Sequence, residues 1–318
     1  MGPSRLHSLD ALRGLAAVSV ALFHFNEVRL RDDNLYDAAN RWGWLGVAVF
    51  FVLSGYCVQA AAHRDIASRN FLLRRFARLY PAYLASVGTV VAFCVARKVT
   101  FGVNDFIALP TSAASWLATL TLTTSPLSRF ATINWVYWSL TYEVFFYLTL
   151  TVGIVWPRVR FAWMLLLCVG SVVPSASGAI FFLDNWGLFT LGAALALSGR
   201  IPSWQVIILA AASVGVTAHR QSFAVLAVAL ATAGLIRAAP KIERLAGRII
   251  GMLARVGEIS YGIYLLHVPV GVWVVLRFTD ARGWRSQGMP LHLASDFAAL
   301  CASMLAAAAV YRWIENPG

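Results

Sequence analysis

Arg13 and His24 stand eleven positions apart inside the first long apolar run of the chain. A helix rises ~1.5 Å and turns ~100° per residue, so the two side chains share a face, roughly 16 Å apart along the axis. Ionisable groups at membrane depth are costly and usually face a protein interior or a cavity, which makes the pair a functional candidate. A guanidinium near one membrane face suits an anion such as phosphate. An imidazole further along the same wall can titrate near neutral pH and act as a base. Either residue alone has a plainer use: an arginine snorkels at a helix end, and a histidine packs with its nitrogens hydrogen-bonded. Their common face favours the functional reading.

Glu143 is the second candidate, a carboxylate within the apolar run from Trp138 to Tyr147. It must face the protein interior and find partners. It could orient His24 as carboxylates orient imidazoles in triads, pair with an intramembrane arginine, or tie spans together. Ser139 lies one turn away on the same face and could contact substrate. Arg75 and Arg78, three apart, could grip phosphates together, although arginines gather in cytoplasmic loops for topological reasons too. Tyr264 and His267, also three apart, suit a polar cavity wall. His267 could be a second acid, a substrate ligand or a core histidine.

These residues need a membrane bundle to hold them. The chain has 318 residues, 59% hydrophobic and only 13% charged, with mean hydropathy +0.70. Soluble domains carry about a quarter charged residues. At ~20 apolar residues per crossing, the pattern predicts one all-α integral-membrane domain over 1–318. About ten spans are expected, at 9–28, 43–62, 79–97, 134–156, 161–175, 180–198, 204–219, 222–238, 258–277 and 290–312. The first span is expected to be retained, because no small-x-small cleavage site follows it. Spans 5 and 6 are separated by the turn residues from Pro174 to Gly178. With both termini cytoplasmic, 16 of the 26 Lys and Arg fall inside, five each in the loops 63–78 and 237–257. The net charge of +12 is then a positive-inside signature, and nucleic-acid binding loses its support. The long outer segment 98–133 reads as an interfacial or re-entrant helix around Trp116–Leu120. Cys57, Cys94, Cys168 and Cys301 all fall in spans with no metal-ligand spacing, as buried small apolar residues do. No metal site is expected.

Several of these stretches, in this order, resemble the membrane acyltransferase-3 family. Leu9-Asp10-Ala11-Leu12-Arg13-Gly14 through His24 is similar to its Arg-x10-His opening. Gly46 to Tyr56 resembles its second-span motif, and Arg75-x-x-Arg78-x-x-Pro81 its cytoplasmic loop. Trp138-Ser139-Leu140 through Glu143 resembles its Trp-Ser-Leu-x-x-Glu segment, and Ile259–His267 and Tyr311–Pro317 also fit. The resemblance spans the chain. It implies a multi-pass inner (plasma) membrane O-acyltransferase that moves acetyl, or another acyl group, from cytoplasmic acyl-CoA to a sugar hydroxyl of a glycan or glycolipid. Acyl-CoA is then a co-substrate, and no permanently bound cofactor is expected. On that reading Arg13, Arg75 and Arg78 hold the donor's phosphates, while His24 is the base or a transient acyl carrier. Glu143 supports His24, and Ser139, Tyr264 and His267 face substrate. Ten spans with polar interior groups would also suit a transporter, but inverted repeats and paired broken helices are not found. Acceptor identity, acyl length and oligomeric state are not written in these motifs.

Overall fold

The computed structural model describes residues 6–27, 34–62, 68–102, 109–173, 181–284 and 287–315. Among these, every regular element is helical. α1 (His7–Asn26), α2 (Leu35–Asn40), α3 (Gly46–Ala62), α4 (Ser68–Phe101) and α5 (Ala113–Leu120) form the first half. α6 (Trp138–Val155), α7 (Arg160–Gly170), α8 (Trp186–Leu197), α9 (Ser203–Arg220) and α10 (Phe223–Glu258) follow. A rod over Ser260–Ala281 comprises α11 (Ser260–Leu266), a π-helical stretch His267–Leu276 and α12 (Arg277–Ala281). α13 (Met289–Val310) ends the bundle with a π turn over Tyr311–Glu315.

Each of the ten expected segments contains a helix. Seven helical segments among the described residues are long and apolar enough to cross a membrane. α7, α8 and α9 fall short on length or hydropathy. The chain is a multi-pass membrane protein. α7 and α8 are separate helices, as expected, although their connection at 174–180 lies outside the described residues.

The two basic segments expected as cytoplasmic loops depart from expectation. Residues 68–78 are the first turns of α4, and 237–257 continue α10. At ~1.5 Å per residue the 34-residue α4 runs about 51 Å and the 36-residue α10 about 54 Å. A hydrocarbon core is ~30 Å thick, so each stands about 20 Å beyond it. Charges lower hydropathy without ending a helix, because Arg, Lys and Glu are good helix formers.

α1 is the central helix, packed against α3, α10, α11, the π-helical stretch and α13. Small residues allow these close crossings. A Cβ on Gly257 of α10 would sit 1.9 Å from the Asp10 carbonyl oxygen, and one on Gly14 would meet the Gly257 nitrogen at 2.8 Å. The α3–α8 crossing has the same basis: a Cβ on Gly192 would lie 1.9 Å from the Val52 oxygen. At the start of α1, Glu243 of α10 accepts from the Ser8 backbone N–H at 3.0 Å and from its hydroxyl at 3.1 Å. It thereby satisfies donors that a helix start leaves open.

The described part of the segment expected outside, 109–133, is built into the bundle. α5 carries a capping box at Ser112 and Ser115. Tyr83 of α4 donates to the Thr119 carbonyl, Tyr80 donates to that of Thr121, and Thr141 of α6 donates to that of Leu122. Residues 103–108 of this segment lie outside the described residues.

Candidate active site

Three cavities follow one another along α1. The first, about 780 Å³, opens at the end where α1 begins and is lined by Arg13, Arg75, Arg78 and Arg200, with Asp10, Glu258 and Glu315. The second, about 100 Å³, is the smallest of the three. The third, about 300 Å³, lies at the opposite end around His24. Arg13, Arg75 and Arg78 line both the first and second cavities. Val47, Phe51 and Tyr264 line both the second and third. The shared walls set the three cavities side by side, from the arginines to the imidazole.

The continuous helix α1 places Arg13 and His24 along this row as their spacing predicts. Arg13 Nη1 lies 3.6 Å from Asp10 Oδ1. Arg75 and Arg78 arrive from the first turns of α4 and form no ion pair at salt-bridge distance among the described residues. Arg75 Nε is buried with no hydrogen-bond partner there. A buried guanidinium N–H left unmade is expensive, and an anionic ligand in the adjoining cavity would satisfy it.

Glu143 lines the second cavity and lies within electrostatic reach of Arg13 and Arg75. Its Oε1 accepts from Ser54 Oγ at 3.2 Å and from the Tyr147 hydroxyl. Of the roles open to it, the geometry places it among the arginines and not beside His24. His24 has a different companion. His24 Nδ1 is 2.9 Å from His267 Nε2, the two rings stacked with centroids 5.0 Å apart.

The tautomers follow from what each neighbour can accept. His267 Nδ1 lies 3.1 Å from the Ile263 carbonyl, which only accepts, so the proton is on Nδ1. In neutral His267, Nε2 is then an acceptor, and His24 Nδ1 must donate to it. This leaves His24 Nε2 unprotonated, with a lone pair to offer.

Pro269 fixes the far side of this pair. Proline lacks an N–H and its ring clashes with the carbonyl four residues earlier, here that of Leu265. That carbonyl instead accepts from Ser86 Oγ at 3.0 Å and Asn134 Nδ2 at 3.1 Å. The widened π-helical turn begins at His267 itself, and such turns recur at functional sites. Ser139 and Tyr264 meet at the constriction between the second and third cavities. Their hydroxyls are 2.7 Å apart, and both lie within bonding distance of the Val136 carbonyl.

The structure therefore groups Arg13, Arg75, Arg78 and Glu143 at one end, Ser139 and Tyr264 at the constriction, and His24 with His267 at the other end. The sequence pattern does not single out Ser54, Tyr147 and Arg200, and of the carboxylates within apolar runs it singles out Glu143 alone. Asp296 of α13 is a second: its Oδ2 accepts from Asn26 and Tyr36 at 2.8 Å and lies 3.3 Å from His292 Nε2. The i, i+4 pair of His292 and Asp296 inside an apolar run was the available signal.

A family model described as an acyltransferase domain matches residues 6–313. The chain belongs to the acyltransferase-3 family. It is 27% identical to Acyltransferase MdmB of Streptomyces mycarofaciens, over 98% of this chain and 91% of that protein. Nodulation protein 10 of Rhizobium leguminosarum bv. viciae is 26% identical over 89% of this chain and 88% of its own length. Peptidoglycan O-acetyltransferase OatA of Listeria monocytogenes is 33% identical over a shorter stretch, 28% of this chain and 14% of that protein. No solved structure matches. The protein is thus an enzyme, a membrane O-acyltransferase.

Proposed function

We propose that this acyltransferase takes an acyl group, most simply acetyl, from cytoplasmic acyl-CoA. It passes the group to a hydroxyl of a sugar in a cell-surface polysaccharide or glycolipid, from within the inner (plasma) membrane. The observation that carries this reading is the row of adjoining cavities from three arginines to one imidazole. Its basic end belongs in the cytoplasm by the positive-inside rule, where acyl-CoA is found. The relative named as a peptidoglycan O-acetyltransferase supports a sugar acceptor at the other end.

Arg75, Arg78 and Arg13 would hold the donor's phosphates in the wide cavity. Glu143 offsets part of their mutual repulsion. The pantetheine arm would then thread the second cavity, and the ~16 Å between Arg13 and His24 is comparable to its extended length. At the far end His24 Nε2 takes the proton of the acceptor hydroxyl as its oxygen attacks the thioester carbon. The tetrahedral adduct collapses with cleavage of the C–S bond, and the CoA thiolate receives the proton back from Nε2. Either Ser139 or Tyr264 would have to turn its O–H away from the Val136 carbonyl to donate to the developing oxyanion. In a covalent variant Nε2 itself attacks the thioester carbon and the C–S bond breaks to release the CoA thiolate; the acceptor oxygen then displaces the imidazole from the acyl carbon, and its proton goes to the thiolate.

The test is transfer of labelled acetyl from acetyl-CoA to sugar acceptors by the purified protein in lipid nanodiscs. The reading expects transfer by the native protein, and binding without transfer by His24→Ala. Failure of the native protein to bind or turn over acetyl-CoA would remove it, as would full turnover by the variant.

A further inference from the structure

The cavity around His24 has a chemistry that narrows the acceptor. Its volume of about 300 Å³ is at the low end of the ~300–1,000 Å³ of small-molecule sites. Such a space admits one sugar ring and leaves the rest of a longer glycan outside. Among the described residues no Asp, Glu, Lys or Arg lines it. Asp184 and Arg220, the charges next in sequence to its lining residues Asn185 and Gln221, are paired with each other at 2.8 Å. A carboxylate or ammonium brought in would find no opposite charge, at a large desolvation cost.

Gln221 is held ready for a hydroxyl. Its backbone N–H closes α9 on the Thr217 carbonyl at 2.9 Å. Its side-chain nitrogen lies 3.0 Å from the Asp184 carbonyl and 3.4 Å from Asn185 Oδ1. A backbone carbonyl only accepts, so the group facing it must be the amide NH₂. Oε1 is left without a hydrogen-bond partner among the described residues. A lone acceptor oxygen is the complement of a sugar O–H. Trp44 and Trp138 line the same space, and indole faces offer apolar contact to the C–H surface of a pyranose.

We infer that this cavity seats a single uncharged pyranose. Gln221 Oε1 accepts from one ring hydroxyl, Trp44 and Trp138 cover the ring, and another hydroxyl is presented to His24 Nε2. The inference rests on the acyl-transfer reading above and adds the acceptor's charge, its buried size and the residues that select it.

The experiment compares methyl hexopyranosides with the corresponding methyl hexopyranosiduronates as acceptors for labelled acetyl-CoA, using the whole protein in nanodiscs. The neutral glycosides should be acetylated, and each uronate should show a kcat/KM at least tenfold lower. Gln221→Ala should raise the acceptor KM roughly tenfold, the loss of one hydrogen bond, while the KM for acetyl-CoA stays within twofold. Gln221→Glu, which keeps acceptor oxygens but adds negative charge, should lower the kcat/KM for uronates further relative to the neutral glycosides. Uronates used as well as their neutral counterparts, or an unmoved acceptor KM in Gln221→Ala, would overturn the inference and leave the transferase reading standing. No transfer to any glycoside by the native protein would overturn both.

Discussion

The two ends of the row of cavities in this bundle differ in every physical respect. One is wide, about 780 Å³, and edged by four arginines. The other is less than half that size, aromatic, and free of lining Asp, Glu, Lys and Arg among the described residues. The cavity between them is smaller than either, about 100 Å³. A site for one ligand has no need of two unlike mouths. Two reactants approaching from opposite sides of a membrane do, one bearing phosphates and the other hydroxyls. On the proposed reading the contrast also separates donor binding from chemistry, because Arg13 lies some three helical turns from His24.

The largest effect should come from His24→Ala. Transfer is expected to fall by at least about a thousandfold, within the range for a lost general base. Donor affinity by isothermal titration should move less than twofold. A large loss of donor affinity instead would mean the two ends are not functionally separate. Next, Arg75→Ala combined with Arg78→Ala should weaken acetyl-CoA binding roughly hundredfold, since hydrogen bonds to charged groups contribute ~1.5–3 kcal/mol each. Acceptor KM should not follow. A variant that binds CoA normally would place the donor elsewhere.

A smaller loss is expected at His267, which touches the base and not the donor. His267→Ala should lower kcat roughly tenfold through misorientation of His24. His267→Gln should recover part of it, because a side-chain carbonyl can accept from His24 Nδ1 as Nε2 does. Equal rates in the two variants would show that packing alone matters there. The smallest effect is ionic: raising salt from 0.05 to 0.5 M should increase the KM for acetyl-CoA a few-fold through screening. The KM for a neutral acceptor should stay flat, and parallel changes would erase the distinction between the mouths.

What could be read from the residues alone follows the range of the interaction. Arg13 and His24 share one helix, so their relative placement is fixed by helical pitch. The same holds for Arg75 with Arg78 and for Tyr264 with His267. The partner of His24 is 243 residues away in sequence, and only the packing of α1 against the Ser260–Ala281 rod brings His267 to it. Glu143 looked equally able to meet the imidazole or the arginines, because nothing local sets how far along α1 its helix crosses. The basic segments were expected as loops since hydropathy reports solvation, not backbone order. Gln221 lies at the junction of α9 and α10, where composition says only that the chain turns.

The contact between Ser8 and Glu243 has a consequence for the whole row of cavities. α1 carries both Arg13 and His24, so sliding this helix by one turn would move both groups by ~5.4 Å and detach each from its neighbours on other helices. Glu243 sits on the long extension of α10, and its single oxygen grips the first turn of α1 by backbone and side chain together. The height of the imidazole in the bilayer is therefore fixed in part by an anchor near the opposite end of its own helix.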